Sequence, residues 1–299
     1  MESQLTVRSW RKRLGRAIWL YGMVPYLCVT LIFVVLQRRL IYRPTAAADL
    51  SVAACQIAPD KARDITIQAD DGTRLKGWLL FEKEARASTN DAPLVLYFPG
   101  NSGNRFERLS DLREFTGLGF DLLIVDYRGY GDSEGTPTES ALEQDAHLVW
   151  QFAQRDLGYD PSRIVVFGES LGGAVALSLW SAPHRDSPHP AAVILSSTFS
   201  SMSDLAGTTY PCFPFRYLLL DRWPSSERIV RIDSPVIVFH GTADEMVPFT
   251  LGQQLASKAP HGQFIPVTNG THNSMPTSQI RQELQHLGLS VPAIKELTP

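Results

Sequence analysis

Apolar and polar positions follow three different rhythms along this chain. Residues 17–37, AIWLYGMVPYLCVTLIFVVLQ, carry no formal charge. At 1.5 Å per residue such a helix covers the roughly 30 Å hydrocarbon core of a bilayer. From residue 64, DITIQADDGTRLKGWLLFE alternates apolar with polar residues around an Asp-Gly pair, which predicts a β-hairpin. Beyond it, short apolar runs alternate with amphipathic segments. Strands are expected at 94–98, 122–127, 163–168, 191–197, 235–241 and 264–268. Helices are expected in FERLSDLREFTGLG, in TESALEQDAHLVWQFAQRDLG with a capping-box start at Thr138, and in LGGAVALSLWS, TLGQQLASKA and MPTSQIRQELQHLG. Continuous apolar strands separated by helices imply a mostly parallel sheet covered on both faces. Residues 199–233 break the alternation. They are too long for a plain connection and rich in aromatics and prolines, which suggests a small cap over the strand ends.

The N-terminal segment reads as an uncleaved anchor spanning 17–37. A signal peptide has a shorter apolar core that ends in small residues; this one ends in QRRLIYRP. Trp10, Trp19, Tyr21 and Tyr42 fall near its ends, as interfacial aromatics do. Arg8, Arg11, Lys12, Arg13 and Arg16 precede it, against Arg38, Arg39 and Arg43 after it. That bias favours a cytoplasmic N-terminus with the main domain on the far side. The expected division is therefore 1–45, basic segment and anchor, and 46–299, the α/β domain with its cap.

Composition narrows the function classes. The 28 Lys and Arg against 31 Asp and Glu leave no basic excess for nucleic acid. The three cysteines, Cys28, Cys55 and Cys212, lack metal-ligand or CxxC spacing. Whether Cys55 and Cys212 pair depends on the fold.

Candidate chemistry centres on Gly168-Glu169-Ser170-Leu171-Gly172, which fits G-x-S-x-G. With glycine at about 7% of residues, the bare pattern arises by chance in roughly one chain in ten of this length. Its placement between RIVVF and a helix is what gives it weight: a serine on a strained strand-to-helix corner presents its hydroxyl above the sheet edge. A serine needs a general base, and the base an orienting acid, in the chain order Ser, Asp, His. His272 follows the last strand in VTNGTHNS. The rival histidines are His261 on the wrong edge, His147 and His286 within helices, His184 and His189 in a polar loop, and His240 at the end of its strand. Asp244 in HGTADEMVP is the expected acid, with Asp204 the alternative. The oxyanion donors are expected to be the backbone N–H groups of Leu171 and of Asn101 in FPGNSGN. YRGYGDSEG resembles a phosphate-cradling loop but lacks the Walker lysine and reads as a structural turn.

DGTRLKGW, FPGNSGN, VDYRGYGDSEG, GESLGG, SPVIVFHGTADEMVP and GTHNS together resemble the α/β-hydrolase superfamily. Within it, the chain looks like the membrane-anchored Bem46-like group, which includes the ABHD13-type and ABHD17-type hydrolases. The resemblance covers nearly all of residues 40–275. It implies an α/β-hydrolase fold with an eight-stranded sheet, nucleophile Ser170, acid Asp244 and base His272. Pro99 stands where that group usually has a structural histidine behind the oxyanion loop. The expected activity is hydrolysis of a carboxylic ester or thioester, lipid-like or acylated, without metal or cofactor. Peptidase activity on the same fold and a non-catalytic membrane scaffold are the alternatives. The expected partners are the bilayer and the substrate.

Overall fold

The computed structural model describes residues 10, 13–17, 19–81, 92–181 and 188–289. Its main sheet has eight strands: β1 (Ala62–Gln68), β2 (Arg74–Leu80), β3 (Leu94–Phe98), β4 (Asp121–Val125), β5 (Ile164–Glu169), β6 (Ala192–Ser196), β7 (Val236–Gly241) and β8 (Gly262–Val267). Their spatial order is β8-β7-β6-β5-β3-β4-β2-β1. The β1–β2 hairpin turns at Gly72, whose φ of +85° suits the Asp-Gly corner. β1–β2 and β2–β4 are antiparallel, and every other neighbouring pair is parallel. The helices are α1 (Val24–Ile41), α2 (Leu109–Gly117), α3 (Glu139–Arg155), α4 (Leu171–Leu177), α5 (Met202–Thr209), α6 (Phe215–Leu218), α7 (Ser225–Ile229), α8 (Phe249–Ala256) and α9 (Thr277–His286).

Central strands are buried throughout, so their sequence shows no polar alternation. The pleat still sorts their side chains. Leu94, Leu96 and Phe98 of β3 join one core with α3, α4 and α8, while Val95 and Tyr97 join the opposite core with α2 and α9. The α3 helix starts at Thr138, whose hydroxyl accepts from the Ala141 N–H at 3.2 Å. The expected capping box is only half formed, because the reciprocal position is Ala141 and not Glu.

Strand order reverses beside β3: β4 is added on one side and β5 on the other. Loops leaving β3 and β5 therefore diverge and open a crevice at their carboxyl ends. The loop after β3 is clamped from outside. Just past α1, Arg43–Pro44 pairs in parallel with Ser102–Gly103. Arg105 lies buried behind that loop and bonds Asp126 at 2.5 Å, Asp132 at 2.6 Å and the Leu50 carbonyl at 2.8 Å. Burial pushes the Asp126 carboxyl up to about 6, against the pull of Arg105.

The interval 199–233, expected as a cap, contains the short helices α5, α6 and α7. The apolar N-terminal helix runs from Arg13 to Ile41, 29 residues, and is long and apolar enough to cross a membrane. It includes a π-helical turn at Trp19–Met23, just before Pro25. Its last residue, Ile41, and the Tyr42 that follows belong to the domain core. Cys28, Cys55 and Cys212 are free thiols.

Replacing Arg105 by Met leaves Asp126 buried and unpaired, and is expected to cost about 3–5 kcal/mol. Denaturant unfolding of the detergent-solubilised chain measures this; a loss below about 1 kcal/mol contradicts the assigned role of the buried pair.

Candidate active site

β5 runs into α4 through a single residue, Ser170, with φ +51° and ψ −117°. That conformation is strained for a residue with a side chain, and its neighbours hold it in place. The Ser170 N–H donates to the Ser196 carbonyl at 2.8 Å, and the Ser170 carbonyl accepts from the Thr198 hydroxyl at 2.8 Å. Glycine is required on both sides by contact distance. A Cβ on Gly168 would lie 2.6 Å from the Gly172 carbonyl oxygen, and one on Gly172 would lie 2.0 Å from the Phe98 carbonyl oxygen. The start of α4 is thus pressed directly onto the end of β3.

Two further loops meet this corner. The β8–α9 connection brings His272 Nε2 to 3.0 Å from Ser170 Oγ. The β7–α8 connection brings Asp244 Oδ2 to 2.9 Å from His272 Nδ1. An ionised carboxylate only accepts, so the Nδ1–H donates to Asp244. Neutral Nε2 is then left to accept the serine proton. The Asp244 side chain is fully enclosed. Its Oδ1 accepts from the N–H groups of Met246 at 2.9 Å and Val247 at 2.8 Å. Burial alone would raise its pKa. Bonds from His240, His272 and the Val247 N–H outweigh that and hold the carboxyl well below the usual carboxylate range.

The expected oxyanion donors lie on facing segments. Leu171 is the first residue of α4, where a backbone N–H has no helical acceptor. Asn101 lies in the β3 loop. Its carbonyl accepts from the Arg43 N–H at 2.9 Å and the Tyr130 hydroxyl at 2.8 Å, and its side-chain amide donates to the Ile41 carbonyl at 2.8 Å. Pro99 brings no side-chain donor, but its carbonyl accepts from the Tyr127 hydroxyl at 2.9 Å. Glu169 is buried with Arg108 at 2.5 Å and the Tyr97 hydroxyl at 2.8 Å. Arg108 also reaches the Ser102 carbonyl at 3.3 Å, linking the β5 corner to the β3 loop.

The other candidates fall elsewhere. Asp204 bonds Ser200 at 2.8 Å and Arg216 at 3.4 Å within the 199–233 segment. His189 stacks on Trp180, and His286 is exposed beside Glu283. His147 lies within α3, and His261 precedes β8. His184 is outside the described residues. The reading of His240 as a locally bonded residue leaves out its position beside the acid. Its Nε2 donates to the Val247 carbonyl at 3.0 Å and lies 3.3 Å from Asp244 Oδ2. Its spacing from Asp244, four residues along one strand and turn, was the available signal. The contacts of Asn101 with Ile41, Arg43 and Tyr130 have no local signal, since partners lie up to 60 residues away. Among the described residues, no group of three or more His, Cys, Asp or Glu is arranged to hold a metal ion.

Known proteins share this arrangement of chain. An uncharacterized protein of Mycobacterium tuberculosis is 40% identical over 238 residues, 79% of this chain and 80% of its own length. The α/β-hydrolase domain-containing protein WAV2 of Arabidopsis thaliana is 32% identical over 265 residues, 81% of this chain and 82% of its own. The protein bem46 of Schizosaccharomyces pombe is 34% identical over 191 residues, 62% and 61% of the two chains. The chain belongs to the Bem46-like α/β-hydrolases. A family profile described as serine aminopeptidase S33 matches residues 99–227 of this hydrolase. In fold it is similar to the Pyrococcus furiosus esterase Pf2001, with TM-score 0.61, 15% identity, and coverage of 82% of this chain and 98% of the esterase. It is also similar to Est1E of Butyrivibrio proteoclasticus, solved with ferulic acid, with TM-score 0.60, 20% identity and coverage of 75% and 98%.

Gly172→Ala drives a methyl into the Phe98 carbonyl and must displace the serine corner. Turnover of a chromogenic ester by this variant is expected to fall about 10²-fold or more, as misplacements near 1 Å do. Unchanged turnover contradicts the close-packed corner.

Proposed function

We propose that this hydrolase cleaves carboxylic esters or thioesters through an acyl-enzyme on Ser170. One observation carries the reading: the Ser170 hydroxyl is 3.0 Å from His272 Nε2, while Asp244 lies 2.9 Å from the other ring nitrogen. Three loops far apart in sequence supply these groups, at the crevice where strand order reverses. In the reaction, His272 takes the proton as Ser170 Oγ attacks the acyl carbon. Asp244, held ionised by four donors, fixes the imidazole tautomer and stabilises the imidazolium. The Leu171 and Asn101 N–H groups receive the charge on the carbonyl oxygen. His272 then protonates the leaving alcohol or thiol, and water, deprotonated by the same imidazole, releases the acid.

The family profile's description makes aminopeptidase activity the second reading. A peptidase of that kind needs a carboxylate to hold the free amine. Two cap carboxylates are already committed, Asp204 to Arg216 and Asp221 to Arg38 at 3.0 Å, which leaves exposed Glu227 as the cap carboxylate that the peptidase reading would use. The N-terminal helix is proposed as a bilayer anchor, with an acylated or lipid-like substrate held nearby. The basic excess before the helix favours a cytoplasmic N-terminus and an exported domain.

Ser170→Ala is expected to abolish fluorophosphonate labelling, and Asp244→Asn to lower kcat by roughly 10⁴ with the fold intact. Steady-state kinetics on p-nitrophenyl esters of graded length, matched thioesters and aminoacyl amides would check both readings. Preference for the amides overturns the ester reading. A C-terminal alkaline phosphatase fusion is expected to be active; an inactive, expressed fusion contradicts the orientation.

A further inference from the structure

The cap does not stand clear of the apolar helix but runs beside it. Tyr26 donates its hydroxyl to the Cys212 carbonyl at 3.1 Å and stacks on Phe213 with ring centroids 5.0 Å apart. Phe33 stacks on Phe215 at 3.8 Å. Gln37 bonds both edges of the segment that follows, donating to the Leu218 carbonyl at 3.3 Å and accepting from the Leu220 N–H at 2.6 Å. One residue further, Arg38 pairs with Asp221 at 3.0 Å. Cap and helix thus ascend together, residues 212–221 alongside residues 26–38.

The helical rise converts this register into depth. From Tyr26 to Gln37 the helix climbs about 16 Å. One leaflet of hydrocarbon is about 15 Å thick, half of the roughly 30 Å core. If residues 17–37 cross the bilayer, the cap residues bonded to Tyr26 and Phe33 lie at the level of the leaflet. They cannot be lifted into water without breaking every contact just described. The surface chemistry agrees. Tyr210, Tyr217 and Leu220 are 49%, 71% and 64% exposed on the cap, and Leu27, Leu31 and Val35 are exposed on the helix. The Arg38–Asp221 pair falls where headgroups would be. Arg38 and Asp221 close the upper end. Arg216, on the cap beside the Phe33–Gln37 level, pairs with Asp204 and lies over the Tyr217 ring, with a stem long enough to reach the interface.

We propose that the cap face formed by residues 210–220 is immersed in the lipid leaflet adjoining the hydrolase domain. The helix from Tyr26 to Gln37 then meets protein on one side and lipid on the other, and the part before Tyr26 crosses the opposite leaflet without cover. The inference rests on the reading of the helix as a bilayer anchor, and the following experiment separates the two.

The full chain, with Cys28, Cys55 and Cys212 replaced by Ser and its ester hydrolysis retained, is reconstituted into phosphatidylcholine vesicles. Spin labels are attached at single cysteines in Tyr217→Cys and Leu220→Cys on the cap, Leu20→Cys on the early helix and Lys258→Cys in the turn after α8. Power saturation with oxygen and a water-soluble nickel chelate reads the surroundings of each. The expected result is loss of nickel accessibility with gain of oxygen accessibility at 217, 220 and 20, and full nickel accessibility at 258. Nickel accessibility at 217 and 220 with protection at 20 overturns cap immersion and leaves the anchor standing. Nickel accessibility at 20 as well overturns both.

Discussion

A carbonyl pressed against a glycine sets the geometry of this molecule. The Phe98 oxygen, at the end of β3, occupies the space that any side chain at position 172 would need. That contact brings the first turn of α4 onto β3 and forces the turn from β5 through the single strained residue Ser170. The bonds to Ser196 and Thr198 hold the strain, so the hydroxyl has one place to go. Everything that approaches it, the histidine from the last sheet connection and the loop after β3, approaches a fixed point. The buried Glu169–Arg108 pair and the Arg105 network stiffen the same neighbourhood with charge, at a desolvation cost that only multiple partners offset.

The N-terminal helix is not a tether joined by slack chain. Its last residue, Ile41, accepts a bond from the Asn101 side chain, and the two residues after Tyr42 pair with Ser102 and Gly103. Position of the helix, position of the cap and position of the β3 loop are therefore one mechanical problem. Tyr130 reinforces this by bonding both Arg43 and Asn101. In the proposed reaction, the loop held this way supplies a donor to the oxyanion, so the support for that donor comes from the segment leaving the helix.

Much of this was legible in the sequence, because local rules decide it. β3 occupies residues 94–98 as the apolar run indicates, the hairpin turns at Asp71-Gly72, and G-x-S-x-G falls on the strand-to-helix corner. Topological order alone brought Ser170, Asp244 and His272 into consideration together. The sequence was silent where side chains from remote segments meet. The four-residue spacing of His240 from Asp244 was a signal for their contact, but nothing near it announces the bond to the Val247 carbonyl. Nothing in QRRLIYRP says that the chain there will lie along the β3 loop. The capping box failed for a local reason, an alanine where the reciprocal glutamate belongs.

The proposed reaction depends on a covalent bond to one oxygen. Rapid acid quench of the enzyme during turnover of its best p-nitrophenyl ester, followed by peptide mass analysis, measures this most directly. The prediction is a transient acyl adduct on Ser170, formed and lost at rates compatible with kcat. Full turnover with unmodified Ser170 at every time, or an adduct on another residue, contradicts it.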